Sequence, residues 1–155
     1  MYLVLRSVGR MRAAAAVVNE AVYIQHNPQT REGSEGLAAL FQRLSKTNPK
    51  VNVVRAFEDR DFVFGHTEYD FATRRIGFEV FRFEGNQAVE HWDNIQPRMG
   101  DGDEMIAGPT NATDLDQTES NRERLQSFIR DVVIPNRLGL LPDYVAEDLI
   151  QHSPY

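Results

Sequence analysis

The stretch FEVFRFEGNQAVEHWDNIQ, residues 78–96, carries the pattern that decides the fold. Apolar and polar residues alternate on both sides of EGNQ (84–87), and a period of two is typical of half-buried β-strands. Because EGNQ is short enough to close a hairpin, the stretch predicts two antiparallel strands.

The same pattern extends upstream to Val51. Four runs rich in β-branched and aromatic residues follow one another: VNVVRAFED (51–59), DFVFGHTEYDF (61–71), RRIGFEVFRFE (74–84) and QAVEHWDNIQ (87–96). The breaks between them, EDRD, FATRR and EGNQ, are all of hairpin size. We therefore expect an antiparallel meander of four strands.

Helical patterns flank the meander. Residues 2–21 are rich in Ala, Val, Leu and Arg, and the apolar residues at 37, 40, 41 and 44 form one stripe. A capping box that starts at Ser120 predicts a helix running to Pro135, and LPDYVAEDLI (141–150) predicts another short helix. Helices around a curved antiparallel sheet give an α+β fold.

Composition excludes several classes of protein. The chain has 155 residues, 41% apolar and 26% charged, which is close to globular averages and fits one domain. A formal charge of −6 argues against a general nucleic-acid binder, which needs a basic surface. The absence of cysteine excludes disulfides, and the apolar run AAAAVV (13–18) is too short to cross a membrane. We expect a cytoplasmic protein without nucleic-acid or membrane partners.

Several segments together resemble the SnoaL-like polyketide cyclase family: YIQHNP (23–28), HTEYDF (66–71), the stretch 78–96 and AGPTNATDLDQTESN (107–121). The resemblance covers roughly residues 18–152. It implies a curved antiparallel sheet wrapped around helices as a cone-shaped α+β barrel, and chemistry without an organic cofactor. It also implies a homodimer formed through the outer face of the sheet, where this sequence offers Ile76, Phe78 and Val80.

The motif IQHNP (24–28) returns as IQHSP (150–154). Family members begin with two helices before this motif, and residues 119–154 resemble that opening. We interpret residues 1–155 as a single α+β barrel domain in which 119–154 resemble the start of a second repeat. The helix at 120–135 is expected to replace the missing first helix and to cover the sheet face of its own chain or of a partner chain, since an open face exposes apolar area at about 25 cal/mol per Å². Gln151 and His152 would then be remnants of the second repeat and not part of a second site.

His66 and Glu79 are the candidate catalytic residues. Alternation places His66 on a strand face with Phe64, and Glu79 on one with Phe81, so both are expected among phenylalanines. An apolar setting raises the pKa of a carboxyl group, which suits the group to acid–base catalysis near neutral pH. A neighbouring histidine can share the proton of such a carboxyl group. In the family, a His and the Asp of D-x-F-R flank the substrate; the matching positions here are His66 and the Glu79 of EVFR. The alternative for His66 is a hydrogen bond to a backbone carbonyl.

Five residues are candidate substrate contacts: Gln25, His26, Trp92, Phe64 and Phe81. In the family, a Gln near the position of Gln25 lines the pocket. The alternative for Gln25 and His26 is that they form hydrogen bonds to the following loop. The alternative for Trp92 is a place in the core. His91 and Asp93 alternate with Trp92 and are expected on the outer surface. Because no third ligand stands at a recognised spacing, no metal site is predicted.

These residues favour a small-molecule enzyme of the cyclase, isomerase or dehydratase type that acts by general acid–base catalysis on a hydrophobic, for example polycyclic, compound. The alternative is a non-catalytic domain that binds a small ligand or another protein, because one fold serves many functions.

Overall fold

A six-stranded sheet organises the first of two compact units, Met1–Thr110 and Asn111–Tyr155. The structure is a computed structural model that describes residues 2–4, 16–100 and 102–154. The elements of the first unit are β1 (Tyr2–Val4), β2 (Ile24–Gln25), α1 (Gly33–Ser45), β3 (Lys50–Asp59), β4 (Phe62–Asp70), β5 (Arg74–Glu84) and β6 (Gln87–Pro97).

The predicted meander is confirmed. The strand order is β1-β3-β4-β5-β6-β2, and all neighbours are antiparallel except β2, which runs parallel to β6. Register shifts between Val53 and Arg55 and between Arg82 and Phe83 mark two β-bulges. Bulges bend a strand and increase its twist, which gives the sheet its curvature.

The two faces of this sheet are covered differently. The inner face borders a cavity that is also lined by the predicted apolar stripe of α1: Leu37, Leu40, Phe41 and Leu44. On the outer face, the guanidinium of Arg55 donates to the carbonyl oxygens of Ile106 (3.0 Å) and Ala107 (2.6 Å), and Met105 is buried. The segment after β6 therefore folds back over the outer face of β3.

The second unit is built on α2 (Thr118–Phe128), which continues into a π-helical turn at Ile129–Val133. Val132 is buried, the ring of Phe128 lies 5.8 Å from that of Tyr144, and the Tyr144 hydroxyl donates to Asp131 (3.0 Å). A 3-10 turn follows at Leu138–Asp143. Within the part of the chain that the structure describes, every helix is too short or too polar to span a bilayer.

Three local predictions are wrong. The segment 2–21, predicted as a helix, begins with strand β1, because antiparallel pairing with β3 outweighs a weak helix propensity. Residues 5–15 of this segment lie outside the described residues. The helix predicted over 120–135 is present from Thr118 to Val133, but its predicted capping box is wrong, because the Ser120 hydroxyl donates to the Gln117 carbonyl (2.9 Å) instead. The last predicted helix, 141–150, is replaced by the 3-10 turn.

Candidate functional site

A cavity of about 670 Å³ lies between α1 and the inner face of the sheet. Its apolar wall consists of the α1 stripe together with Val18, Pro28, Val51, Phe71, Phe81 and Ile95. Its polar side chains near β6 are Tyr23, Gln25, Asn27, Tyr69, Glu79, His91 and Asp93. A mostly apolar cavity with a few convergent polar groups is the usual form of a small-molecule site.

Strand register decides which residues face this cavity. Glu79 pairs with Gly65 on β4 and with Asp93 on β6, whereas His66 pairs with Phe78. Directly paired residues share a face, so His66 lies on the outer face while Glu79 lies on the inner one. The short loop between Asp70 and Arg74 sets this register; one residue more or fewer would have placed His66 on the face of Glu79.

A β-bulge brings His91 to the inner face. Next to the turn, Phe83 pairs with Ala88, but beyond the bulge Arg82 pairs with Glu90, so Val89 is the extra residue. Had the register of the turn continued, Trp92 would lie opposite Glu79 and would face the cavity. The bulge therefore exchanges an indole for an imidazole at this site.

Glu79 is 5% exposed and is held on both carboxylate oxygens. Oε2 lies 2.8 Å from Nε2 of His91, and the Tyr69 hydroxyl donates to Oε1 at 2.6 Å. Burial, followed by the charge of Glu79, raises the pKa of Tyr69, which keeps this phenol a proton-bearing donor. The bond from Tyr69 passes over Gly77, where an added Cβ would lie 2.6 Å from Glu79 Oε1.

Gln25 determines which nitrogen of His91 carries a proton. Oε1 of Gln25 accepts the backbone N–H of Asn27 (3.0 Å), so this atom is an acceptor. Nδ1 of His91 lies 3.1 Å from the same oxygen and must therefore donate to it. Nε2 then faces Glu79 Oε2, and two bare acceptors cannot approach to 2.8 Å without a proton between them. Glu79 and His91 therefore share one proton.

The motifs IQHNP and EHWD contact each other residue by residue, because β2 runs parallel to β6. Besides the Gln25–His91 bond, Asn27 Nδ2 donates to Asp93 Oδ2 at 2.6 Å. On the outer face, His26 bonds Glu90 (2.9 Å) and stacks on Trp92 with ring centroids 4.7 Å apart. The first motif thus fixes the side chains of the second on both faces.

Tyr23 supplies a second phenol to the cavity. Its side chain is buried and lines the cavity, and its hydroxyl makes no hydrogen bond to any described residue. Burial, with the charges of Asp93 and Glu79, raises the pKa of Tyr23 to about 12. The hydroxyl is therefore a neutral donor that a ligand can use.

The structure divides the seven predicted site residues. Glu79, Gln25 and Phe81 line the cavity, and Phe81 stacks on His91 with centroids 4.2 Å apart. The other four, His66, His26, Trp92 and Phe64, belong to the outer-face rows, so the expected pairing of His66 with Glu79 does not form. The expectation that His91 and Asp93 lie on the outer surface is wrong as well. Catalytic and binding roles stay predictions.

Five residues of the site escaped the sequence reasoning: His91, Asp93, Tyr69, Tyr23 and Asn27. The spacing of His91 and Asp93 predicts that they share one face of the sheet, but the bulge at Val89 determines which face this is. Asn27 stood in the IQHNP motif without an assigned role. Nothing in the local pattern singles out Tyr23 or Tyr69.

Glu79, His91 and Asp93 also bring three potential metal-ligand atoms within 4.8 Å of one another. The sequence predicts no third ligand near His91 and Asp93, because Glu79 lies on the neighbouring strand and not at a recognised spacing along the chain. A cation bound here would have to displace the proton that Glu79 and His91 share, since ligands bind metals in their deprotonated form.

The second copy of the motif repeats the local geometry of the first. Gln151 Oε1 accepts the backbone N–H of Ser153 at 3.0 Å, as Gln25 Oε1 does from Asn27. Its polar residues stand in the second unit and are not among those that line the cavity.

Comparison with solved structures identifies the fold. A putative polyketide cyclase from Bacillus cereus matches with a TM-score of 0.50 and 15% identity over 57% of this chain and 64% of that one. TsrD from Streptomyces laurentii matches with a TM-score of 0.49 and 17% identity over 56% and 76%. An NTF2-like protein of unknown function from Cytophaga hutchinsonii gives 0.48 and 20% over 57% and 77%.

The first of these matches shares the fold of this chain and confirms the predicted α+β class at the level of fold alone. No protein-family model matches the sequence. No curated protein matches it either.

Proposed function

We propose that this protein is a small-molecule enzyme that catalyses proton transfer by general acid–base chemistry on a hydrophobic ligand, in a reaction of the cyclase, isomerase or dehydratase type. The observation that carries the proposal is the buried contact of 2.8 Å between Glu79 Oε2 and His91 Nε2 at the wall of an apolar cavity. Holding a carboxylate and an imidazole in such a place is costly unless they are paired or used.

The chemistry follows from the positions of the donors. With the shared proton on His91, the Glu79 carboxylate can remove a proton from a carbon next to a carbonyl group. Tyr23 can donate a hydrogen bond to the carbonyl oxygen as negative charge develops there. The proton then returns from Glu79 to another carbon, to a newly formed alkoxide or to a departing hydroxyl, which distinguishes an isomerase, a cyclase and a dehydratase.

Three residues would act through these groups. Gln25 fixes the ring of His91, Tyr69 orients the Glu79 carboxylate, and Phe81 covers the imidazole face. The relative named a polyketide cyclase shares the fold, and its name is compatible with ring closure as the reaction.

The second candidate is a non-catalytic ligand-binding domain. It is favoured by one observation: both oxygens of Glu79 are already bonded within the chain, as expected of a structural network. The two candidates differ in whether Glu79 exchanges its proton with a bound compound.

Solvent-deuterium exchange tests this difference without knowledge of the substrate. In heavy water, the protein should accelerate exchange next to the carbonyl of a bound aromatic ketone, such as 1-tetralone, 2-tetralone or anthrone, as followed by proton NMR. Glu79→Gln should reduce that acceleration by about 100-fold or more, the usual weight of a general base. Glu90→Gln, on the outer face of β6, is the matched control and should leave it unchanged.

Exchange that persists in Glu79→Gln would refute the assignment of Glu79 as the base. If the unmodified protein binds these ketones but accelerates none of them, the binding domain is the better account. Loss of the acceleration on addition of a chelator would instead assign a metal ion to the Glu79, His91 and Asp93 cluster.

A further inference from the structure

The first unit contains arginines that no acidic group engages. Within the described residues of this unit, Arg31, Arg43, Arg60 and Arg75 make no side-chain hydrogen bond or ion pair, whereas Arg55, Arg74, Arg82 and Arg98 are all bonded. Arg43 and Arg75 line the cavity, and Arg31 lines an adjoining pocket of about 410 Å³ that shares Arg43. Only Arg60, in the turn between β3 and β4, lines neither.

The topology places Arg43 and Arg75 at the same end of the cavity. Arg75 lies in one cross-strand row with Tyr69 and Val51. Arg43 is in the last turn of α1, which leads through residues 46–49 into the start of β3 and thus to that row. Arg43 and Arg75 both line the cavity from this side, and Arg43 also borders the adjoining pocket together with Glu32 and Glu35.

Charge is distributed unevenly along the cavity. Glu79 and Asp93 form its acidic end, while Arg43 and Arg75 form its basic end, in a chain whose net charge is −6. A ligand with one anionic group would be oriented by this polarity, because the acidic end repels the group and the basic end binds it. Arginine is suited to this task, since its planar fork matches a carboxylate.

The sheet also sets the distance between the two ends. Arg75 precedes Glu79 by four residues on β5, so their Cα atoms are separated by about 13 Å at roughly 3.3 Å per residue. The Tyr69 ring lies over Gly77 between these two positions, so the ring system or short chain of a ligand would have to lie above it in the cavity. Leu40, Leu44 and Ile95 contribute apolar surface to the same cavity.

We propose that the ligand is an amphipathic organic acid, whose carboxylate binds Arg75 and Arg43 and whose apolar body carries the reacting carbon to Glu79. This inference rests on the proposed function for the role of Glu79, and it adds the substrate class. The anionic group is a handle that sets the orientation and takes no part in the proton transfer.

Matched acid and amide probes test the handle. Isothermal titration calorimetry would compare 1-naphthaleneacetate with 1-naphthaleneacetamide, and 5-phenylpentanoate with its primary amide; each pair differs in charge and little in shape. The acid should bind roughly tenfold more tightly than its amide in at least one pair. Arg75→Gln and Arg43→Gln should each remove most of that preference and leave amide binding unchanged. Arg60→Gln is the matched control and should behave like the unmodified protein.

Equal affinity for acid and amide in both pairs, or a preference that survives in both Arg75→Gln and Arg43→Gln, would overturn the inference. So would a failure of both acids to bind. The two proposals can fail separately: in Glu79→Gln, deuterium exchange on the neutral ketones should be lost while the preference for acid over amide remains. If the protein prefers the acid over the amide but accelerates no deuterium exchange, it is a binding domain for organic acids.

Discussion

Gly77 has the most demanding position of any single residue in the site. It stands below the hydrogen bond from Tyr69 to Glu79, and a Cβ there would lie 2.6 Å from Glu79 Oε1, 2.6 Å from Tyr69 Cε2 and 2.7 Å from Thr67 Oγ1. Atoms at these distances overlap, so a side chain at this position must displace the carboxylate or the phenol ring.

Gly77→Ala should therefore damage the site more than its size suggests. We expect the deuterium exchange catalysed by the protein to fall to the level of Glu79→Gln, and the free energy of unfolding to drop by about 1–3 kcal/mol from overpacking. Gly65→Ala is the matched control on β4, because its Cβ would meet only ordinary contacts of 3.6 Å and beyond. Equal exchange rates in the two variants would show that the Tyr69–Glu79 contact is unimportant.

At the scale of elements, the sequence predicts what local patterns encode. Alternation over 51–97 predicted four strands and their order, and the stripe of α1 predicted its inward face; the structure confirms both. Alternation also identified which residues share a face within one strand. It could not align the faces of two neighbouring strands, because a shift of one residue reverses the relation.

Two small features of the backbone supply that missing alignment. The loop between Asp70 and Arg74 pairs His66 with Phe78, and the bulge at Val89 pairs Asp93, and not Trp92, with Glu79. Each feature concerns one residue, and neither has a strong sequence signature. Alternation therefore predicts the apolar setting of Glu79, but it cannot predict that the histidine beside it comes from β6 instead of β4.

At the scale of the whole molecule, the homodimer stays a prediction. Of the three residues expected at its interface, Ile76 is already fully buried within one chain, whereas Phe78 is 38% exposed. Phe62 and Val53 are also exposed, so apolar surface remains available on this unit.

If Phe78 lies in a dimer interface, Phe78→Asp should separate the subunits, because an unpaired carboxylate would be buried there. Light scattering after gel filtration should then give twice the chain mass of 17.7 kDa for the unmodified protein and the single mass for the variant. Val22→Asp, at an exposed valine outside the sheet, is the control and should not change the mass. A single-chain mass for the unmodified protein would contradict the dimer.

The second unit bears on the predicted repeat. Its helix and the turn after it expose Leu125, Ile129, Val133 and Ile134, which is more apolar surface than a short helix ordinarily leaves in water. The expectation that residues 120–135 cover a sheet face in their own or a partner chain therefore stays a prediction. The repeated turn at Gln151 and Ser153 shows that the second motif keeps the local geometry of the first.

The central claim is that Glu79 and His91 hold one proton between them, with Gln25 fixing the other side of the ring. Nitrogen-15 NMR of the His91 imidazole measures this directly. The account predicts a protonated, hydrogen-bonded Nδ1, and an Nε2 resonance that moves toward that of a bare ring nitrogen in Glu79→Gln. A ring that carries its only proton on Nε2, or an Nε2 resonance indifferent to the loss of the Glu79 charge, would contradict it.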